Sequence, residues 1–306
     1  MPVSVLDLIG NTPLVELTRC HEGPGRILAK AEFLMPGGSV KDRAALAILR
    51  AARADGRLQP GMPVVEMTSG NMGAGLAVVC AALGHPFIAT MSAGNSPARA
   101  RMMEGLGARV VLVPQVDGVP GQVTGADVAA AAEEAQRLAT IEGAFYVDQF
   151  NATEGIAAHE ITGAEILAQA DGPVDAFVAA VGTGSTYVGI AKALKAANPA
   201  TLCAPVEPEG SEPLAGKPVV KTRHMLQGTG YGLVPPHWDA TLMDFGMTVT
   251  DAEVTDWHRR LAAQEGLYVG YSAAANVCAA AKLLASGRLA RDATVVTVLC
   301  DTGLKY

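Results

Sequence analysis

Short runs of β-branched and apolar residues alternate with alanine-rich runs along this chain, and that alternation limits the fold more than any other feature. The strand-like runs lie at 27–33, 63–67, 87–91, 109–113, 175–181, 201–206 and 294–300. The helix-like runs lie at 40–54, 73–83, 97–106, 127–138, 186–197, 251–265 and 274–285. Strands that take turns with helices predict parallel sheets covered on both faces. In such sheets ligands bind beyond the carboxyl ends of the strands, so chemistry is sought in the strand-to-helix turns. The 306 residues suit one large α/β domain or two lobes, and with half of them hydrophobic a large core is available.

Composition removes several function classes. The net charge is −7 with both signs mixed along the chain, and no basic tract appears, so nucleic acid is not an expected partner. The five cysteines are widely spaced and never form a Cys-x-x-Cys pair. That argues against a disulfide framework or zinc knuckle and for a reducing, cytoplasmic setting. No His-Glu-x-x-His pattern occurs, so no metal is expected. No signal peptide and no membrane span are expected, because no apolar stretch reaches the required ~18–20 residues.

The stretch MPGGSVKDRAALAILR, from Met35, reads as a helix start. Ser39 is a good N-cap, and Asp42 follows three positions later, close to a capping box. Lys41 then falls in the first turn, where the helix's partial positive charge disfavours an ammonium. A lysine set against its own electrostatics is a candidate nucleophile or Schiff-base former; the plain alternative is an exposed lysine that tolerates its position. At EMTSGNMG, from Glu66, a strand runs into Thr68, Ser69, Gly70 and Asn71, and a helix begins near Met72 or Gly73. Two hydroxyls, an amide and free N–H groups at a helix start suit a carboxylate or phosphate, although the same residues also make ordinary capped loops. At VGTGST, from Val181, a buried strand runs into Gly182, Thr183, Gly184, Ser185 and Thr186. Glycines there let backbone approach a phosphate. Glycines at 182, 184 and 189 also form a loose dinucleotide fingerprint, which makes a nicotinamide-linked oxidoreductase the rival from another enzyme class. The last gap is too long for that motif, and no acidic residue closes the next strand. Ser272 precedes another alanine-rich helix, and alone it would read as an N-cap.

One candidate Schiff-base lysine, two anion cradles and an isolated serine answer the needs of pyridoxal 5'-phosphate. That cofactor requires a lysine for its aldehyde, a cup for its phosphate and a partner for its ring nitrogen, and its amino-acid substrate needs a second cup for the carboxylate.

These residues sit in a recognisable order. From IGNTPLVEL at Ile9 the chain continues through PGGSVKDR, TSGNMG, DQF at Asp148, VGTGST, VEP at Val206, QGTGYG at Gln227 and GYSAAAN at Gly270 to DTG near the C-terminus. Over nearly its whole length it resembles the cysteine synthase (O-acetylserine sulfhydrylase) and cystathionine β-synthase group of fold type II pyridoxal-phosphate enzymes. The resemblance implies a two-lobed, three-layer α/β/α architecture with mostly parallel sheets, similar to the tryptophan synthase β subunit. It implies a smaller lobe at 39–145 with a movable, substrate-closing part, and a larger lobe of 1–38 and 146–306 that carries the phosphate loop. It implies that Lys41 forms the imine with the cofactor and moves the substrate α-proton. By the same resemblance Asn71 is expected to meet the ring hydroxyl, Gly182, Thr183, Gly184, Ser185 and Thr186 to hold the phosphate, and Ser272 to meet the pyridine nitrogen. Thr68, Ser69, Gly70, Asn71, Met72 and Gln149 form the substrate cup, with Gly228 over the site. The implied reaction is β-replacement on an activated L-serine through an aminoacrylate, with O-acetyl-L-serine and sulfide giving L-cysteine and acetate. The implied partners are that amino acid and a small nucleophile, and the implied assembly is a homodimer.

The chain departs from the family pattern at Met72, where threonine is usual, at Met35, where asparagine is usual, at 152–155, and at Ala273 and Ala274. The segment MSAGNSPARARMM from Met91 is also rewritten. These changes leave the cofactor chemistry intact and leave open O-phosphoserine as donor or a nucleophile other than sulfide. Arg99, Arg101 and Arg223 are candidates for meeting an anionic group on either reactant. A serine or threonine dehydratase is an alternative in the same fold, but SVKDRAA lies closer to the sulfhydrylase pattern. A binding protein that has lost activity is disfavoured by the presence of Lys41, Asn71 and Ser272 together. With the sequence closing at Tyr306, no heme- or adenosyl-binding module is expected.

Overall fold

A computed structural model describes residues 3–221, 223–230 and 232–306. In chain order the first elements are β1 (Leu14–Glu16), β2 (Arg26–Lys30), α1 (Lys41–Ala54), β3 (Val64–Met67), α2 (Asn71–Leu83) and β4 (Phe87–Ser92). Next come α3 (Pro97–Gly105), β5 (Arg109–Val113), α4 (Gly125–Glu142), β6 (Phe145–Tyr146), α5 (Glu154–Gln169) and β7 (Ala176–Ala180). The chain closes with α6 (Ser185–Ala197), β8 (Leu202–Pro208), β9 (Met247–Val249), α7 (Asp251–Arg260), α8 (Tyr271–Ala285) and β10 (Thr294–Val298). Each helix and strand expected from the sequence is present; the strand at 109–113 keeps its expected ends and the others are shifted. α5 and the short strands β1, β6 and β9 were not foreseen.

The packing divides the chain into two units: residues up to Ile9 with Met35–Gly155, and Gly10–Leu34 with Ile156–Tyr306. The boundaries expected at 38/39 and 145/146 therefore move. Leu6 is buried in the same cluster as Leu46, Leu49 and Leu76, which draws the N-terminal residues into the first unit. Val147 belongs to that cluster too, so the chain beyond β6 stays with this unit.

The first unit is built on a wholly parallel sheet in the order β5-β4-β3-β6. Alternate residues face opposite sides, as the strand period of two requires. Val64, Phe87, Ala89 and Met91 face the core formed with α1, α2 and α3. Val65 and Ile88 face Ala135 and Leu138 of α4. Three layers result.

The second unit has a six-stranded sheet in the order β1-β2-β10-β7-β8-β9. Its strands run parallel except β1, which pairs antiparallel with β2. Ile27, Val178, Val206 and Val295 face the alanine-rich side of α8 and Val254 of α7. Ala273 and Ala274, two of the departures from the family pattern, are buried in this core. On the opposite face Phe177 of β7 meets Tyr187 of α6, with ring centroids 5.5 Å apart.

Candidate active site

In the first unit Lys41 is positioned by small residues. Lys41 opens α1, whose N-cap is Val40, with no side-chain cap. Ser39 and Asp42 do not form the expected capping box. Ser39 Oγ accepts the Lys41 N–H at 3.3 Å, while the Asp42 carboxylate turns back and accepts the Gly37 N–H. Gly38, at φ +70°, makes the turn that brings Gly37 there. At Gly75, α2 crosses α1 so closely that a Cβ would lie 3.2 Å from the backbone of Lys41 and Asp42. This sets Lys41 beside the start of α2, and with it the turn at 68–71.

That turn leads straight into a helix. Gly70 is the N-cap of α2 and, being glycine, has no side chain to cap it. Thr68 Oγ1 accepts the Gly73 N–H at 3.0 Å, which fixes the turn from within. Arg99 reaches over from α3, its Nη1 3.5 Å from Ser69 Oγ, whereas Arg101 and Arg223 are exposed. Met72 turns away from the turn: it is 2% exposed and packs in the core with Leu46 and Leu76. The thioether replaces a hydroxyl at the price of none of the core's apolar character.

Gln149 is tied to this turn through a residue whose role the sequence reading did not assign. Glu66, on β3, is wholly buried. Its Oε1 accepts from Gln149 Nε2 at 3.1 Å and its Oε2 accepts from the Asp148 N–H at 2.9 Å. Burial is the largest influence on the Glu66 carboxyl and raises its pKa to about 8, against the lowering effect of these bonds. Asp148 itself is held at φ +51°, a conformation that non-glycine residues seldom adopt. The bond to Glu66 helps hold it there and aims the next residue, Gln149.

In the second unit β7 runs into the glycine-rich loop and α6. Gly184, at φ +96°, is the N-cap of α6 and, being glycine, has no side chain to cap that helix. The first N–H groups of a helix have no partner within it, so they are free to meet an anion. A Cβ on Gly182 would collide with the Gly228 carbonyl oxygen, so only glycine fits where the two loops touch. The Gly230 N–H also donates to the Val181 carbonyl at 3.1 Å. Tyr231, in the same stretch as Gly228, lies outside the described residues.

Ser272 lies in the first turn of α8 and is 6% exposed; the N-cap is Gly270. Its Oγ is 3.2 Å from Thr229 Oγ1. One turn later the buried Asn276 spans two strands: its Oδ1 accepts the Ala180 N–H at 2.7 Å and its Nδ2 donates to the Val298 carbonyl at 2.8 Å. That clamp fixes α8, and Ser272 with it, at the ends of β7 and β10. Each unit thus gathers its own expected residues: Lys41, residues 68–72 and Gln149 in the first, residues 182–186, Gly228 and Ser272 in the second.

Two buried histidines back the glycine-rich loop. His159 Nε2 is 3.2 Å from Thr186 Oγ1 and His237 Nδ1 is 2.9 Å from Ser185 Oγ. Neither was singled out from sequence. His159 lies on the unforeseen helix α5, and His237 lies in a long connection without helix or strand signal.

Burial pushes the thiols of Cys20, Cys80, Cys203 and Cys278 up to about 12, which keeps them protonated and inert. Among the described residues no group of three or more His, Cys, Asp or Glu side chains is placed to hold a metal ion. Among the same residues no helix is long and apolar enough to cross a membrane.

Comparison with known proteins identifies the family. Residues 5–301 match the family described as pyridoxal-phosphate dependent enzymes. The chain is 36% identical over 306 residues to a cysteine synthase of Staphylococcus aureus, covering 99% of this chain and 94% of that protein. It is 38% identical over 307 residues to a probable cysteine synthase of Bacillus subtilis, covering 98% and 94%. The crystal structure of O-ureido-L-serine synthase superposes with a TM-score of 0.90 at 35% identity, covering all of this chain and 93% of that one. The chain belongs to the cysteine synthase family of pyridoxal-phosphate dependent enzymes.

Proposed function

We propose that this enzyme performs β-replacement on an activated L-serine, taking O-acetyl-L-serine and sulfide to L-cysteine and acetate. The observation that carries the reading is the uncapped, glycine-led start of α6 in a chain whose α1 opens on a lysine. The residues fit the cofactor. The loop at 182–186 offers backbone N–H groups and hydroxyls to a phosphate, and glycine at 182 and 184 lets that loop pack against Gly228 and His237 without a clash. Lys41 would hold the aldehyde, Asn71 the ring hydroxyl and Ser272 the ring nitrogen. Bound there, the cofactor supplies the electron sink for the substrate α-carbon.

The protein's own groups do the rest. Lys41 moves the α-proton, and its place at the positive end of α1 favours the uncharged amine, the form able to accept a proton. Thr68, Ser69, Asn71 and Gln149 hold the substrate carboxylate beside the start of α2, with the Gly70 and Met72 backbone completing the turn and Gly228 covering the site. Ser272 adds no charge beside the ring nitrogen, which favours elimination over transamination. The wide spacing of the five cysteines, none in a Cys-x-x-Cys pair, supports a reducing, cytoplasmic setting. By family likeness we take the assembly to be a homodimer, to be checked by sedimentation.

The test is the visible spectrum before and after O-acetyl-L-serine, then after sulfide. A yellow protein whose band moves to longer wavelength with donor and returns with sulfide, releasing L-cysteine, is expected. A yellow protein that responds only to O-phospho-L-serine would replace the donor, and a colourless protein that pyridoxal phosphate cannot reconstitute would overturn the reading. The likeness to O-ureido-L-serine synthase supports a second reading, the same elimination followed by a nucleophile other than sulfide. Donor-induced colour that sulfide fails to reverse would favour it.

A further inference from the structure

The connection from β8 to β9 carries His237 onto the start of α6. His237 is 8% exposed, and a Cβ on Gly184 would lie 3.0 Å from the His237 Cβ, so the histidine is packed directly on the glycine-rich loop. Its Nδ1 is 2.9 Å from Ser185 Oγ. Its Nε2 is buried and has no hydrogen-bond partner among the described residues. These facts decide the proton positions. Were the proton on Nε2, a buried N–H would be orphaned, which proteins avoid more strictly than an under-satisfied acceptor. Ser185 would also spend its one proton on Nδ1. With the proton on Nδ1, Ser185 Oγ accepts from the ring and keeps its own proton to give away.

Ser185 is the first residue of α6, where the uncapped N–H groups point. We propose that His237 is a positioning residue: it holds the proton on Nδ1 and so turns the Ser185 hydroxyl outward as a donor to the cofactor phosphate. The proposal rests on the reading of residues 182–186 as the phosphate cup.

Thr186 is arranged differently. Thr162 Oγ1 donates to the Ala158 carbonyl at 3.4 Å and so accepts from His159 Nδ1, 3.1 Å away. A neutral His159 ring then offers Nε2 as an acceptor, and the Thr186 hydroxyl points its proton inward to it. Of the two hydroxyls backed by histidine, Ser185 is the one that serves the phosphate.

The experiment titrates apo-enzyme with pyridoxal phosphate and, separately, with pyridoxal, and records the phosphorus resonance of the bound cofactor. Ser185→Ala and His237→Gln are each expected to raise the Kd for pyridoxal phosphate about tenfold, the worth of one hydrogen bond to a charged group, and to shift the resonance. Both should leave pyridoxal binding unchanged. His237→Asn, whose amide N–H takes the place of Nδ1–H, should stay within about twofold of wild type. The double variant Ser185→Ala with His237→Gln should bind no more weakly than either single one, because one residue acts through the other. Thr183→Ala tests the cup itself. If it weakens pyridoxal phosphate while His237→Gln does not, or if His237→Gln adds its full effect to Ser185→Ala or weakens pyridoxal equally, the role of His237 is overturned. If Thr183→Ala and Ser185→Ala both leave the Kd unchanged, the phosphate-cup reading fails with it.

Discussion

Glu66 shows how one buried side chain couples the proposed substrate cup to stability. Its carboxyl binds a proton up to about pH 8 in the folded protein, whereas an exposed glutamate loses it near 4.5. Between those values the native state holds a proton that the unfolded chain has released, so stability falls as pH rises through this window. The slope is about 1.4 kcal/mol per pH unit for one group, which amounts to a few kcal/mol across the window. Glu66→Gln carries no titrating proton, and urea unfolding from pH 5 to 8 is expected to lose that slope; an unchanged slope would exclude Glu66 as its source. The same variant presents an amide to Gln149 in place of an acceptor, so the KM for the amino-acid donor should rise severalfold while the cofactor colour persists. The sequence displayed Glu66 as a lone carboxylate in an apolar strand, but its partners Asp148 and Gln149 lie more than eighty residues away along the chain. No local pattern carries that distance. Lys41 was legible because its conflict with the helix start is local.

Among the elements, α5 is the instructive omission. Its sequence EGIAAHEITGAEILAQ holds two glycines, which weaken helix propensity, and it lacks the alanine run that marked the others. Tertiary packing overrides that weakness. Gly163 faces α6 so closely that a Cβ would lie 2.5 Å from the Ala193 Cβ, and a Cβ on Gly189 of α6 would lie 2.6 Å from the His159 Cβ. Glycine therefore serves as a spacer between two helices here. Gly189→Ala should force α5 and α6 apart and cost about 1–3 kcal/mol, read by urea unfolding. Gly125→Ala, at the start of α4 with open space around it, should cost nothing and gain about 0.5 kcal/mol. Equal effects from the two substitutions would refute the packing argument. The spacing of strands and helices was otherwise readable, since β-branched runs and alanine runs differ in period. β1, β6 and β9 escaped notice because two or three residues are too few to show any period.

The two cores are complete within their own units, and the expected site residues other than Met72 sit at loop and helix ends instead of inside either core. Cofactor that binds only the folded state must add to stability by mass action, about 2.7 kcal/mol at a hundred times its Kd. For a chain of this size that is roughly 4 °C in Tm. Thermal unfolding of apo-enzyme with pyridoxal phosphate is expected to show such a rise, and pyridoxal, which lacks the phosphate, a smaller one; equal rises would mean that residues 182–186 contribute nothing to binding. Local sequence sufficed for the alternating α/β plan, the lysine at a helix start, the glycine-led turns and the family they belong to, because each of those is written in contiguous residues whose conformational preferences act over one or two turns. The unit boundaries, the carboxylate behind Gln149, the histidines behind Ser185 and Thr186, and the spacer glycines of α5 and α6 came from folding alone. They depend on which residues distant in sequence are brought within bonding distance, and burial then sets the charge and proton positions that no linear pattern encodes.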